Sequence, residues 1–391
     1  MQRVILGIEQ LKALQPPWLR EARIGLLVNQ ASLDSSSRHT QDIMAELAGR
    51  NLTALFSPQH GIKGQAQANM VETEDDVDPV LKIPIYSLYS SKARTPTEEQ
   101  LDGIDCLVID LQDVGTRVYT FATTMGFCLE AAARYKKRVI VLDRPNPIGG
   151  VEVEGNLLKE ELRSFVGYHP IPMRHGMTMG GLARFFNTER GIGADLEVIP
   201  MEGYRREDFF SATGLTWTPP SPNMSTPATA LVYPGQVLLE GTNLSEGRGT
   251  PQPFECFGAP YIDTHSLKSQ LEKRELPGIR FEEISFTPQF DKWQGQACPG
   301  LQLHVTDPRA YKPYYMTLAI IQEIMQAWPE DFSWRPPPYE YEFEKLPIDI
   351  ITGDEEIRMG LEEGKDLDEM EVGWLKELKG FLAQRRNYLL Y

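Results

Sequence analysis

The stretch Asp105–Phe121, DCLVIDLQDVGTRVYTF, decides how the chain is read. Cys106–Leu111 is a short run of mostly branched apolar residues, the pattern of a strand buried on both faces. It breaks at once into Gln112, Asp113, Gly115 and Arg117, a cluster no core tolerates, so a strand ends there and a loop opens. Behind the loop, Val118, Ala122, Met125, Leu129 and Ala132 share one helical face, and Lys136 and Lys137 suit a helix C-terminus. Strand, polar loop and helix make half of a βαβ unit.

Three other stretches repeat the unit. Arg23–Ser32 is a buried strand ending in Asn29 and Gln30; Ser35–Ser37 then offer a cap for a helix carrying Ile43, Met44 and Leu47. Leu52–Phe56 runs into Pro58, Gln59, His60 and Gly61, followed by a polar excursion with Gln65, Gln67, Asn69 and Glu72. Arg138–Leu142 ends in Asp143, Arg144, Pro145 and Asn146. Ile83–Leu88 is extended, and Thr95-Pro96-Thr97-Glu98 has the form of a capping box with proline at the first helical position. Strands alternating with helices predict an α/β fold, a Rossmann-like parallel sheet whose ligands bind where the strands end. All four loops are then expected in one crevice, with Gln30, Gln59, His60, Asp113 and Arg144 lining it. The bland alternative is that such residues only make turns.

Composition narrows the function. The 391 residues are 41% hydrophobic and 24% charged, with a formal charge of −16, which argues against non-specific binding to nucleic acid or anionic membranes. Cys106, Cys128, Cys256 and Cys298 are scattered without a CxxC pair and read as reduced packing residues. No run is long and apolar enough for a membrane span or signal peptide, so a cytoplasmic location is expected, an upstream start with an export signal aside. Neither GxGxxG nor GxxxxGK[ST] occurs, and the six histidines are dispersed, so neither a nucleotide cofactor nor a metal is expected.

Further along, PIPMRHGMT presents Arg174 and His175 before a helix capped by Thr178. The proline-rich WTPPSPNMSTP, Trp217–Pro227, is the candidate linker, dividing residues 1–227, which carry the cleft, from a smaller α+β domain, 228–391, which closes it. Beyond it, EGTNLSEGRGT sets Glu240, Glu246 and Arg248 among glycines, and Glu246 and Arg248 are expected to reach the cleft across the boundary. Tyr314–Trp328 and the segments after Asp354 read as amphipathic helices.

At SPQHGIKG, IPIYSLYS, DLQDVGTRVYTF, LDRPNPIGG, EGNLL, PIPMRHGMT, PSPNM and EGTNLSEGRGTPQPFE the chain resembles the NamZ family of exo-β-N-acetylmuramidases, in the right order and over nearly its whole length. The resemblance implies a Rossmann-like domain joined to a smaller one, and release of N-acetylmuramic acid from non-reducing ends of peptidoglycan fragments during cell-wall recycling. It implies a small carbohydrate substrate, a muropeptide or a disaccharide of N-acetylmuramic acid and N-acetylglucosamine, with homo-oligomers open. Many members have P-E-H-G where this chain has Pro58-Gln59-His60-Gly61, and that glutamate is the usual catalytic candidate. Glycoside hydrolysis ordinarily takes two carboxyl groups, but an N-acetyl sugar can use its own acetamido group as nucleophile, leaving Gln59 to orient it. Asp113 and Asp110 then supply the carboxyl chemistry, unless Asp110 is a buried structural acid; Glu72, Glu240 and Glu246 are alternatives. His60 is a proton donor or a loop hydrogen-bonder. Arg117, Arg144, Arg174 and Arg248 are candidates for the muramyl carboxylate, with Asn29, Gln30, Asn146 and His175 around them. The competing reading, which Gln59 motivates, is a non-catalytic muropeptide-binding protein; a phosphate-using enzyme on the same sheet lacks its loop.

Overall fold

The computed structural model describes residues 3–64, 70–90 and 94–391, so Gln65, Gln67 and Asn69 lie outside the described residues. Its strands in chain order are β1 (Ile24–Val28), β2 (Leu52–Ser57), β3 (Asp76–Val77), β4 (Pro84–Ser87), β5 (Cys106–Asp110), β6 (Arg138–Leu142), β7 (Glu154–Leu157), β8 (Pro172–Arg174), β9 (Leu196–Ile199), β10 (Cys256–Gly258), β11 (Ile279–Phe286) and β12 (Cys298–Val305). Seven of them form one sheet in the order β3-β4-β2-β1-β5-β6-β9, parallel except for the β3–β4 pair. This is an α/β fold of Rossmann-like layout.

Alternation along the strands explains why both faces are covered. Ile24, Leu26, Val28, Cys106, Val108, Ile140 and Leu142 point into one apolar core. Leu27, Phe56, Leu107, Ile109, Val139 and Val141 point into the other. Such strands read as continuous apolar runs because neither face meets water. The helix Thr40–Ala48 packs on β1 and β2, and Gly7–Leu14 lies against β6 and β9. Phe121–Arg134, the helix expected behind β5, packs on β6 and on the Met179–Glu189 helix, which Thr178 caps.

The second core runs on into the rest of the chain, through Leu238, Leu301, Tyr314, Ile320 and Phe381. There helices Pro227–Gln236 and Thr264–Lys273 pack on a three-stranded antiparallel sheet, β10-β12-β11; Pro313–Ala327 packs on both helices, and Leu367–Arg385 on β7 and on Pro313–Ala327. All four cysteines are buried and free. Among the described residues no helix is long and apolar enough to cross a membrane.

The structure differs from the sequence pattern at the end of β1 and at two helix starts, one of them Glu98–Asp102, which Thr97 and not Thr95 caps. β1 stops at Val28, because Ser32 turns back to satisfy Asn29 through both its backbone N–H and its side-chain oxygen at 2.9 Å. The next helix starts at Thr40, where the His39 imidazole caps Gln41, rather than at the serines. Within Trp217–Pro227, Trp217 stacks edge-on with Phe210, and Ser221, Asn223 and Met224 wall a cleft.

Candidate active site

The site is centred on a two-residue hairpin that sequence reasoning missed. Tyr339 and Glu342 exchange both backbone hydrogen bonds at 2.9 Å, leaving Glu340 and Tyr341 at the tip with φ of 46° and 66°. Positive φ at both central positions is the signature of a type I′ turn, which ordinarily takes asparagine and glycine. Glu340 is only 4% exposed and faces across to the N-terminal half. The Tyr89 hydroxyl donates to its Oε2 at 2.8 Å, and Gln59 Nε2 donates to its Oε1 at 3.2 Å. Thr120 donates to Gln59 Oε1 at 2.6 Å, which fixes the direction of the amide. Burial pushes the Glu340 carboxyl up to about 7; Glu240 adds to this, while Tyr89, Gln59 and Arg248 pull against it.

Glu340 stands where two cavities meet. The inner one, open to solvent, spans about 480 Å³ and includes Gln59, His60, Thr120, Tyr119 and Asn223 in its lining. The outer one, about 830 Å³, includes Phe290, Asp291 and Arg335. Both are bounded by Glu240, Arg248, Tyr339 and Glu340. Tyr339 donates to Glu240 Oε2 at 2.7 Å, and Arg248 pairs with Glu240. Arg248 also pairs with Glu246 at 3.0 Å, and Lys292 holds the other oxygen of Glu246 at 2.6 Å. Burial works to raise the Glu246 carboxyl, but the Lys292 and Arg248 cations together hold it below its usual range. The glycines explain how this loop is built: Gly247 and Gly249 have φ of 74° and 76°, and a Cβ on Gly249 would meet backbone of Gln289 and Phe290.

Among the described residues, the strand ends are divided between cavities. Gln59 and His60 line the inner cavity, whereas Arg144 lines a separate one of about 430 Å³ with Gln112, Asp34 and Trp217. Asp110 is fully buried and is paired with the Arg144 guanidinium and the Thr40 hydroxyl, a structural acid satisfied by side chains. Asp113 accepts from the Gly115 N–H at 2.7 Å and has His175 Nε2 3.8 Å away; it lines neither lobe at Glu340. Arg117 spends its guanidinium on four backbone carbonyls, and Arg174 turns to the Ile148 carbonyl and Glu152. Asn29 and Asn146 bond to surrounding backbone, and Gln30 donates to the Pro219 carbonyl. Glu72 is exposed and receives the Tyr341 hydroxyl at 3.4 Å. Among the described residues no group of His, Cys, Asp or Glu could hold a metal.

Glu340 escaped because its partners are 251 and 281 residues away. The available signal was the run Arg335–Tyr341, RPPPYEY, where three prolines end regular structure just before an acid between two tyrosines.

Comparison with known proteins agrees along the whole chain. Two family models match, described as exo-beta-N-acetylmuramidase NamZ, N-terminal, over residues 24–228, and C-terminal, over residues 231–391. The peptidoglycan beta-N-acetylmuramidase NamZ of Bacillus subtilis is 42% identical over 389 residues, covering 100% of this chain and 92% of that protein. Two crystal structures of DUF1343 family proteins from Bacteroides fragilis superimpose with TM-scores of 0.90 and 0.78, at 33% and 29% identity. Each alignment covers 100% of this chain and 99% of the other.

Proposed function

Because the chain belongs to the NamZ family of exo-β-N-acetylmuramidases and is a glycosidase, we propose that it releases N-acetylmuramic acid from the non-reducing end of peptidoglycan fragments, with Glu340 as the general acid. The observation that carries the assignment is the Glu340 carboxyl, buried where the two lobes meet and pushed up to about 7, so that near neutral pH a large share keeps its proton. The proton passes to the glycosidic oxygen as its bond to the sugar carbon breaks. Water then adds at that carbon, and its proton restores Glu340. Glu240, held by Arg248 and Tyr339, supports the positive charge that develops on the sugar, or the substrate's acetamido group does so. Gln59 holds the acid from one side and presents no second negative charge to it. The recycling of cell-wall fragments is the setting proposed for this reaction.

Turnover of a chromogenic β-N-acetylmuramide tests the assignment. Glu340→Gln should lower kcat by about 10²–10⁴-fold, the scale of lost general acid catalysis. Native turnover should fall as pH rises through about 7, where the acid loses its proton. Asp113→Asn should stay within a few-fold of native, since an asparagine oxygen still accepts from Gly115. Near-native turnover by Glu340→Gln, or an equal loss in Asp113→Asn, would return the acid to the strand end.

A further inference from the structure

Four cations surround the outer cavity or its walls, and three of them are committed. Arg248 is divided between Glu240 and Glu246. Lys292 is divided between Glu246 and the carbonyls of Leu239 and Thr242, at 2.7 and 3.2 Å from those oxygens. Arg94, near the hairpin, lies over the Tyr341 ring at 4.1 Å and does not line the cavity. Arg335 differs. It is half-buried and lines the outer cavity, and its backbone N–H is tied to the Gly241 carbonyl at 2.9 Å, which sets it beside Glu240. Its guanidinium makes no ion pair or hydrogen bond with any described residue. Asp291 lines the same cavity and forms no ion pair with it.

A guanidinium held at a substrate cavity without a carboxylate partner is a receptor for one, because its planar fork matches two carboxylate oxygens. The sugar proposed as substrate carries such a group, the carboxylate of its lactyl ether. We infer that Arg335 reads this carboxylate and makes the outer cavity selective for an acidic N-acetylated sugar over its uncharged counterpart; this rests on the function proposed above. The charge balance of the cavity favours it. Glu240 and Glu246 are compensated by Arg248 and Lys292, and the raised Glu340 carboxyl keeps its proton in part near neutral pH, so Asp291 is the main lining carboxylate left to oppose an incoming anion.

Titration calorimetry with free N-acetylmuramic acid and with its methyl ester tests the inference without needing turnover. Native protein should bind the acid about ten-fold or more tighter than the ester, the scale of a hydrogen-bonded charge pair. Arg335→Met, which keeps the aliphatic stem, should bind the acid no better than the ester, and Arg335→Lys should recover part of the difference. A merely structural role would weaken both ligands alike. Equal binding of acid and ester by native protein, binding of neither, or an undiminished preference in Arg335→Met would each overturn the inference. Failure of the glycosidase assignment reads separately, as absence of turnover with the acid preference intact.

Discussion

The tip of the Tyr339–Glu342 hairpin holds its acid in a backbone conformation that side chains other than asparagine and glycine rarely adopt. His60, on the opposite wall, has φ of 74° and adds a third such residue to the same cleft. Strain of this kind costs on the order of 1–3 kcal/mol per residue and persists only where neighbours over-determine it. Here the neighbours are Tyr89 and Gln59 on the carboxyl and Glu72 on Tyr341. Gln59 could be singled out from the sequence because it sits at the end of a legible strand. Glu340 could not, since nothing local marks a residue whose role is set by partners from the other half. The contact between them carries a prediction. Gln59→Glu places a second carboxyl within hydrogen-bond reach of Glu340, and two such groups cannot both ionise cheaply. The alkaline limb of the native pH–rate profile, expected near 7, should move up by about one unit or more in Gln59→Glu. A limb that stays in place would mean that Glu340 is not the group titrating.

Elements bring these residues together through caps as well as through packing. β7, in the first half of the chain, ends the helix Pro313–Ala327 of the second half: Glu154 accepts the N–H groups of Tyr314 and Tyr315 at 3.2 and 2.8 Å. Those donors have no partner within the helix, and a carboxyl there also meets the positive end of its dipole. The main strands were legible because a parallel sheet covered on both faces demands unbroken apolar runs, and β1, β2, β5 and β6 have them. β7 and the hairpin were not, since short segments held by distant side chains leave no periodic trace. Glu154→Ala should cost about 2 kcal/mol, measured by urea unfolding. The sign of its pH dependence follows from burial, which pushes the folded-state carboxyl up to about 7 from 4.5. A raised carboxyl stabilises the fold most below its unfolded value and loses that contribution as pH climbs through the folded one. The gap between native and Glu154→Ala should therefore be wider at about pH 5 than at about pH 8. A wider gap at the higher pH would contradict this.

At the scale of the whole molecule, the two halves share one core, and both line the cavities at Glu340. The sequence reads as two units because the proline-rich Trp217–Pro227 looks like a break, yet Ser221, Asn223 and Met224 wall the inner cavity and the core crosses from Leu107 to Phe381. Arg117 shows how closely the halves are joined. Fully buried and without a carboxylate, it donates to Asn156 and Ile171 at 2.9 Å on one side, and to Ile351 and Thr352 at 3.0 and 2.6 Å on the other. Burial lowers its guanidinium to about 10, still far enough above neutral for the charge to persist. The cost of burying that charge is met by four carbonyl dipoles, and removing it takes one donor from each of those buried carbonyls. Arg385 repeats the device from the last helix, reaching the carbonyls of His175 and Gly176 at 3.1 Å. A chain built this way should unfold as one unit, so calorimetry of native protein should give a single transition whose calorimetric and van't Hoff enthalpies agree. Arg117→Met should keep one transition but lower stability by about 3 kcal/mol or more, and should weaken turnover by loosening the side that carries Glu340. Two resolved transitions in native protein, or an Arg117→Met chain as stable as native, would mean that the halves fold independently and meet only at the cleft.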